Sequence, residues 1–236
     1  MSSIHLIGGG PGAILATRRH IKSAIQALEA KHPLVAYVGV ASDDNRGFFQ
    51  MLSAGFLGSG ARLELVKLAR KNASVASARR LLDDCHLVFM SGGDVEHGMN
   101  LIQERGVADD LRRLAGDGKP FVGISAGSIM MCQHWVRFPD DDDARAETFA
   151  CLGIAPLHMD AHAEADGWPE LRTLVRLVAA GDAGAVGYGV PSKGCLRVSL
   201  DGGKPKLAAL GAPIARIGVR AGKPVDRAPL HPTARA

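Results

Sequence analysis

A serine between two glycines, Gly123-Ile-Ser125-Ala-Gly127, is the group in this chain best set up to do chemistry. A hydroxyl is a weak nucleophile. It needs a base to take its proton, an acid to orient that base, and N–H donors for the oxyanion that forms. The chain offers nine histidines as bases. His5, His20, His32, His86 and His97 precede the serine at element edges, His134 follows it closely, and His231 lies near the C-terminus. His158 and His162 come later, at the end of an extended segment, and His162 sits among polar neighbours where loops carry function. The acids include the run Asp140–Asp143, which has the composition of a solvated loop, and Glu164 two residues beyond His162. Alternate residues of an extended segment point the same way, so His162 and Glu164 can act together.

The elements around the serine fit that chemistry. Phe121–Ile124 is a short apolar run behind a Gly118/Pro120 turn signal, which reads as a buried parallel strand. Ile129-Met-Met-Cys132 follows as a predicted helix. Strand, sharp glycine turn and helix are the setting in which G-x-S-x-G holds a nucleophile, with free helix N–H groups beside it. Upstream, strands are expected at 4–7, 34–40, 63–66 and 87–90, alternating with helices. The fold class that follows is α/β: a mostly parallel sheet with helices on both faces, flavodoxin-like. Ligands on such sheets bind at the carboxyl ends of the strands. Gly92-Gly93 and Ser125 both lie at such ends, on successive strands.

Past the serine, Pro169 and Leu171, Leu174, Val175 and Val178 mark an amphipathic helix. Residues 195–200 and 207–210 read as a β-hairpin joined by Asp201-Gly-Gly203. One domain over 1–218 is expected. Residues 219–236, rich in Pro, Ala and Arg with no periodic apolar pattern, are expected to be a disordered basic tail.

Composition narrows the function classes. The net charge is +4, but that tail carries four basic residues against Asp226, so the body is nearly neutral. No basic stripe with interleaved aromatics argues for nucleic acid. No 18-residue apolar run or basic-plus-apolar leader is present, so neither membrane nor export is expected. The four cysteines show no metal-like spacing and read as buried thiols in a reducing, cytoplasmic compartment. No metal or cofactor is expected, and a homo-oligomer stays open. Gly8-x-Gly10-x-x-Ala13 after the first strand imitates a dinucleotide fingerprint. The acid that should hold the ribose is missing: Asp43 lies 30 positions past Ala13. A nucleotide-binding or catalytically silent protein on a related fold is the alternative.

Ser91-Gly-Gly-Asp94, Gly123-Ile-Ser-Ala-Gly127, and Leu152-Gly-Ile-Ala-Pro156 leading to Asp160-Ala-His162 together resemble peptidase family S51. Its members include dipeptidase E and cyanophycinase, on the fold of class I glutamine amidotransferases. Val186–Val190 and 195–198 are also similar, so the likeness covers most of 4–217. The resemblance implies Ser125 as nucleophile, His162 as base, and the backbone N–H groups of Gly93 and Ala126 as the oxyanion hole. It favours Asp140, 15 positions after Ser125, as the third member, with Asp141, Asp142, Asp143 and Glu164 as alternatives. It implies hydrolysis of short peptides, with a preference for an acidic N-terminal residue. Arg137, Arg172 and Arg176 are the cations expected to receive that residue.

Overall fold

A computed structural model describes residues 2–56, 58–200 and 204–232. Apolar runs bounded by turns become the strands β1 (Ser2–Ile7), β2 (Leu34–Val38), β3 (Arg62–Val66), β4 (Leu87–Met90) and β5 (Phe121–Ile124). All four residues of β4 and of β5 are buried, as strands covered on both faces must be. The intervening helices are α1 (Ile14–Gln26), α2 (Arg46–Ser53), α3 (Val75–Asp84), α4 (Val95–Glu104) and α5 (Ala108–Gly116). Side-chain caps start three of them: Asn45 accepts from Phe48 N–H, Ser74 from Ser77 N–H and Asp94 from His97 N–H.

Two further strands, β10 (Cys195–Leu200) and β11 (Lys206–Leu210), complete a seven-stranded sheet in the order β11-β10-β1-β5-β4-β2-β3. Its strands β1 to β5 are parallel; β10 and β11 are antiparallel, the hairpin expected there, with turn residues 201–203 outside the described residues. The fold is mixed α/β around a mostly parallel sheet. Strand β5 lies at the centre, between β1 and β4.

A second sheet was not foreseen. It has the order β13-β12-β9-β8, from β8 (His158–Ala161), β9 (Gly187–Val190), β12 (Ile214–Arg220) and β13 (Lys223–Leu230). Residues 219–232 were expected to be a disordered tail; instead they finish β12 and form β13. Most side chains of β13 are exposed, and it pairs only with β12, so no apolar alternation marks it. Pro224 and Pro229 are tolerated because an edge strand need not donate every N–H. Residues 233–236 lie outside the described residues.

The segment after the serine also departs from expectation. Its helix, α6 (Ala126–Met130), is only five residues long. A small hairpin follows, β6 (His134–Arg137) and β7 (Glu147–Ala150), and the stretch before His158 is irregular rather than extended. The amphipathic helix α7 (Pro169–Val178) forms as expected and buries Leu171, Leu174 and Val175.

Candidate active site

Ser125 stands at the end of β5 with φ 53° and ψ −124°, a conformation costing on the order of 1–3 kcal/mol for a residue with a Cβ. Backbone on both sides holds it there. Its N–H donates to the carbonyl of Ile7 at the end of β1 (3.0 Å), and the Ser128 hydroxyl donates to the same carbonyl (2.9 Å). The N–H groups of Ser128 and Ile129 close onto the Ser125 carbonyl, starting α6. On the β4 side, a Cβ at Gly127 would lie 2.1 Å from the Met90 carbonyl oxygen, so only glycine lets α6 pack so close. The strain at Ser125 is thus imposed by two neighbouring strands.

His162 reaches the serine from the second sheet. It follows β8, its N–H donates to Val190 at the end of β9 (2.9 Å), and its φ of 46° turns it out of the strand. Its Nε2 lies 2.9 Å from Ser125 Oγ, within range for proton transfer. The ring rests on the glycine-rich turn after β1: a Cβ at Gly10 would sit 3.1 Å from His162 Cβ and Cγ. That turn, the one imitating a dinucleotide fingerprint, therefore forms the floor under the imidazole. Asp43, the acid too distant for a ribose, pairs with His97 at 2.7 Å.

Gly92 and Gly93 lie one residue past the end of β4, and a Cβ on Gly92 would come within 3.2 Å of Ser125 Cβ. Gly93 and Ala126 line one pocket with Ser125 and His162. Among the described residues, neither the Gly93 nor the Ala126 N–H has a hydrogen-bond partner.

Asp140 is elsewhere. It is ion-paired with Arg145 in the loop between β6 and β7, and lines a cleft with Glu96, Arg137 and Glu147 that includes neither Ser125 nor His162. Asp142 accepts from Ala144 N–H and organises the same loop. Glu164 lies nearer the base. Its Oε1 accepts from Ser192 N–H (2.9 Å); partial burial raises its carboxyl, but the hydrogen bonds from Ser192 and from its own N–H, with a smaller contribution from His162, hold it below the usual value. Of the expected residues, Ser125 and His162 are brought together, whereas Asp140 is turned to an arginine and Glu164 is held by Ser192 N–H. An aspartate run looks alike in sequence whether or not one member turns inward.

The three expected arginines line neither cavity at the serine. Arg137 is held by Glu96 and Glu147, Arg172 by Asp226, and Arg176 lines a separate cleft beside α7.

Two cavities meet at Ser125 and His162. One, about 560 Å³, lies between α1, α2 and the strand ends and is lined by Ile14, Ile21, Phe48, Met51, Leu52 and Ile124 among others, with Arg18 as its cation. The other, about 390 Å³, carries Asp94, Asp160, Asp166 and Glu170. Asp160 is 7% exposed. Its Oδ1 accepts from Ala161 N–H (2.7 Å), while Oδ2 is buried and has no partner among the described residues. Burial pushes this carboxyl up to about 7, the Ala161 N–H opposes the rise, and the charge of Glu170 adds to it.

A strained serine at a strand end, within reach of a histidine and sharing a pocket with Gly93 and Ala126, has the geometry of the serine-nucleophile class on an α/β sheet. Comparison with known proteins is more specific: residues 4–203 match Peptidase family S51, and the chain belongs to that family. It is similar to Peptidase E of Nostoc sp. (strain PCC 7120), 22% identical over 65% of this chain and 60% of that one. It is also similar to Peptidase E of Streptomyces coelicolor, 25% identical over 46% of this chain and 54% of the relative. The matches thus span little more than half the length of these relatives. Among solved structures, a peptidase from an acI-B1 Actinobacterium superposes with a TM-score of 0.64 at 16% identity, covering 96% of this chain and 97% of that one. That likeness is one of fold.

Proposed function

We propose that the protein is a serine peptidase that hydrolyses short peptides through an acyl-enzyme on Ser125. The observation that carries this reading is the 2.9 Å contact between Ser125 Oγ and His162 Nε2 on a strained strand-to-helix turn. In the first half-reaction Ser125 Oγ bonds to the scissile carbonyl carbon while its proton passes to His162 Nε2. The carbonyl oxygen becomes an oxyanion facing the N–H groups of Gly93 and Ala126. As the tetrahedral intermediate collapses, the C–N bond breaks and the leaving amine takes the proton from His162. A water then gives its proton to His162, attacks the ester, and releases the acid and free Ser125. Each proton taken is returned, so the cycle needs no further reactant.

We assign Glu164 as the anionic partner that stabilises the imidazolium, in place of Asp140. Its support is its place two residues beyond His162, where Ser192 N–H holds it and its carboxyl is kept below the usual value. We place the enzyme in a reducing, cytoplasmic compartment, on the strength of four buried free thiols. Among the described residues, no helix is long and apolar enough to cross a membrane.

The test is release of free amino acids from a dipeptide panel, with Ser125→Ala as control. Turnover by wild type and its loss in the variant support the reading. Equal turnover by both removes it. The rival, nucleotide binding at the glycine turn, predicts binding of dinucleotides; the seat that Gly10 gives His162 weighs against it.

A further inference from the structure

The two cavities flanking Ser125 differ in character, and that difference bears on the substrate. Ile14 and Met51, on the rim of the larger one, are 63% and 56% exposed and belong to a group of three exposed large hydrophobics among the described residues. Such surface is unfavourable in water unless something apolar covers it. About 560 Å³ is within the range of small-ligand pockets. Arg18 lies exposed on α1 at the edge of this cavity.

The smaller cavity is acidic. Three of its four carboxylates are committed or in solvent: Asp94 caps α4, Glu170 accepts from Trp135 Nε1 (3.0 Å), and Asp166 is exposed. Asp160 is different. A buried carboxylate oxygen left without a donor is costly, and it marks a place where a donor from outside the chain would be favourable.

Resting on the peptidase reading above, we propose that the substrate is a short peptide whose N-terminal residue is large and apolar, with its side chain in the cavity of Ile14 and Met51 and its free α-ammonium on Asp160. One residue can reach both places, because the Cα next to the scissile carbonyl carries both the ammonium and the side chain. With that carbonyl at Ser125, the two groups diverge into the two cavities. An N-terminal aspartate would instead set a carboxylate among aliphatic side chains with only Arg18, at the solvent edge, to pair with. Its ammonium would still be accepted, so discrimination arises in the apolar cavity.

The experiment measures kcat/KM of the wild type on Leu-Ala, Met-Ala, Asp-Ala and N-acetyl-Leu-Ala. The same four are titrated calorimetrically into Ser125→Ala, which binds without cleaving. Leu-Ala and Met-Ala are expected to exceed Asp-Ala by at least about tenfold in both measures, and N-acetylation to cost a similar factor. Asp160→Asn should erase the advantage of the free over the acetylated N-terminus while preserving the order Leu over Asp. Met51→Glu, at a rim position that leaves the core untouched, should weaken Leu-Ala about tenfold or more even if Asp160→Asn fails to fold. Asp-Ala equal to or better than Leu-Ala, above all if Arg18→Ala abolishes that preference, overturns the proposal. So does equal treatment of free and acetylated peptides. The two readings fail separately. Preferential binding of Leu-Ala with no cleavage of any peptide sinks the peptidase reading alone, and cleavage confined to Asp-Ala sinks the apolar assignment alone.

Discussion

Ser125 and His162 face each other from two sheets that hold them by different means. On the parallel sheet, the serine is pinned by the Ile7 carbonyl on one side and by Met90, through the bare Cα of Gly127, on the other. The groups that receive these contacts are main-chain carbonyls at the ends of β1 and β4. On the smaller sheet, His162 has one backbone hydrogen bond to Val190 and a glycine floor, and Glu164 has one bond to Ser192 N–H. The serine is set by the core, whereas His162 and Glu164 are set by a loop at a sheet end. Damage on the first side should therefore be structural and large, and damage on the second graded and chemical.

The largest expected effect is that of Ser125→Ala. Alanine accepts the same backbone conformation about as well as serine, so melting should be little changed. Turnover should fall by on the order of 10⁴–10⁶. Residual activity above a few per cent would move the nucleophile elsewhere. Gly127→Ala probes the rigid side through stability. A Cβ placed 2.1 Å from the Met90 carbonyl oxygen has only backbone to push against, and the cost should be at least about 3 kcal/mol, seen as a drop in Tm of about 6–12 °C. A Tm within a degree or two of wild type would show that α6 is not locked to β4.

On the looser side, Glu164→Gln should lower kcat by about 10–100-fold, because the carboxylate acts through charge rather than a buried hydrogen bond. Asp140→Asn should stay within about twofold. The reverse ranking would return the triad to Asp140.

Asp160 gives a pH signature. Its folded-state value of about 7 lies above that of an ordinary carboxyl. Between about pH 4 and pH 7 the folded protein keeps a proton that the unfolded chain releases, so stability falls as pH rises through that window. The loss should be on the order of 1–4 kcal/mol, and chemical denaturation of Asp160→Asn at pH 5 and pH 8 should lack it. An unchanged pH profile in that variant would show that the carboxyl is not held protonated.

How far the sequence reveals this arrangement follows the same division. The strands of the parallel sheet are continuous apolar runs bounded by turn residues, and the elbow is written in Gly123, Ser125 and Gly127, so both were readable. The second sheet was not. Strand β13 is exposed and contains two prolines, and β8 is His-Met-Asp-Ala, without the continuous apolar run that marks β4 and β5, so neither stands out. Asp140 attracted attention by its place in the chain, but whether a loop aspartate meets a histidine depends on a hairpin, β6–β7, that the sequence does not announce. The orphaned Oδ2 of Asp160 is a property of packing alone; no local pattern carries it.

The central claim is that Ser125 is a nucleophile made reactive by His162. A fluorophosphonate tests it directly, since attack by Ser125 Oγ expels fluoride and leaves a stable phosphonate ester whose position is read by mass spectrometry of the digested protein. The adduct is predicted on Ser125 alone, with labelling at least about a hundredfold slower in His162→Ala at unchanged fold. An adduct on another residue, or labelling at the same rate without His162, would contradict the account.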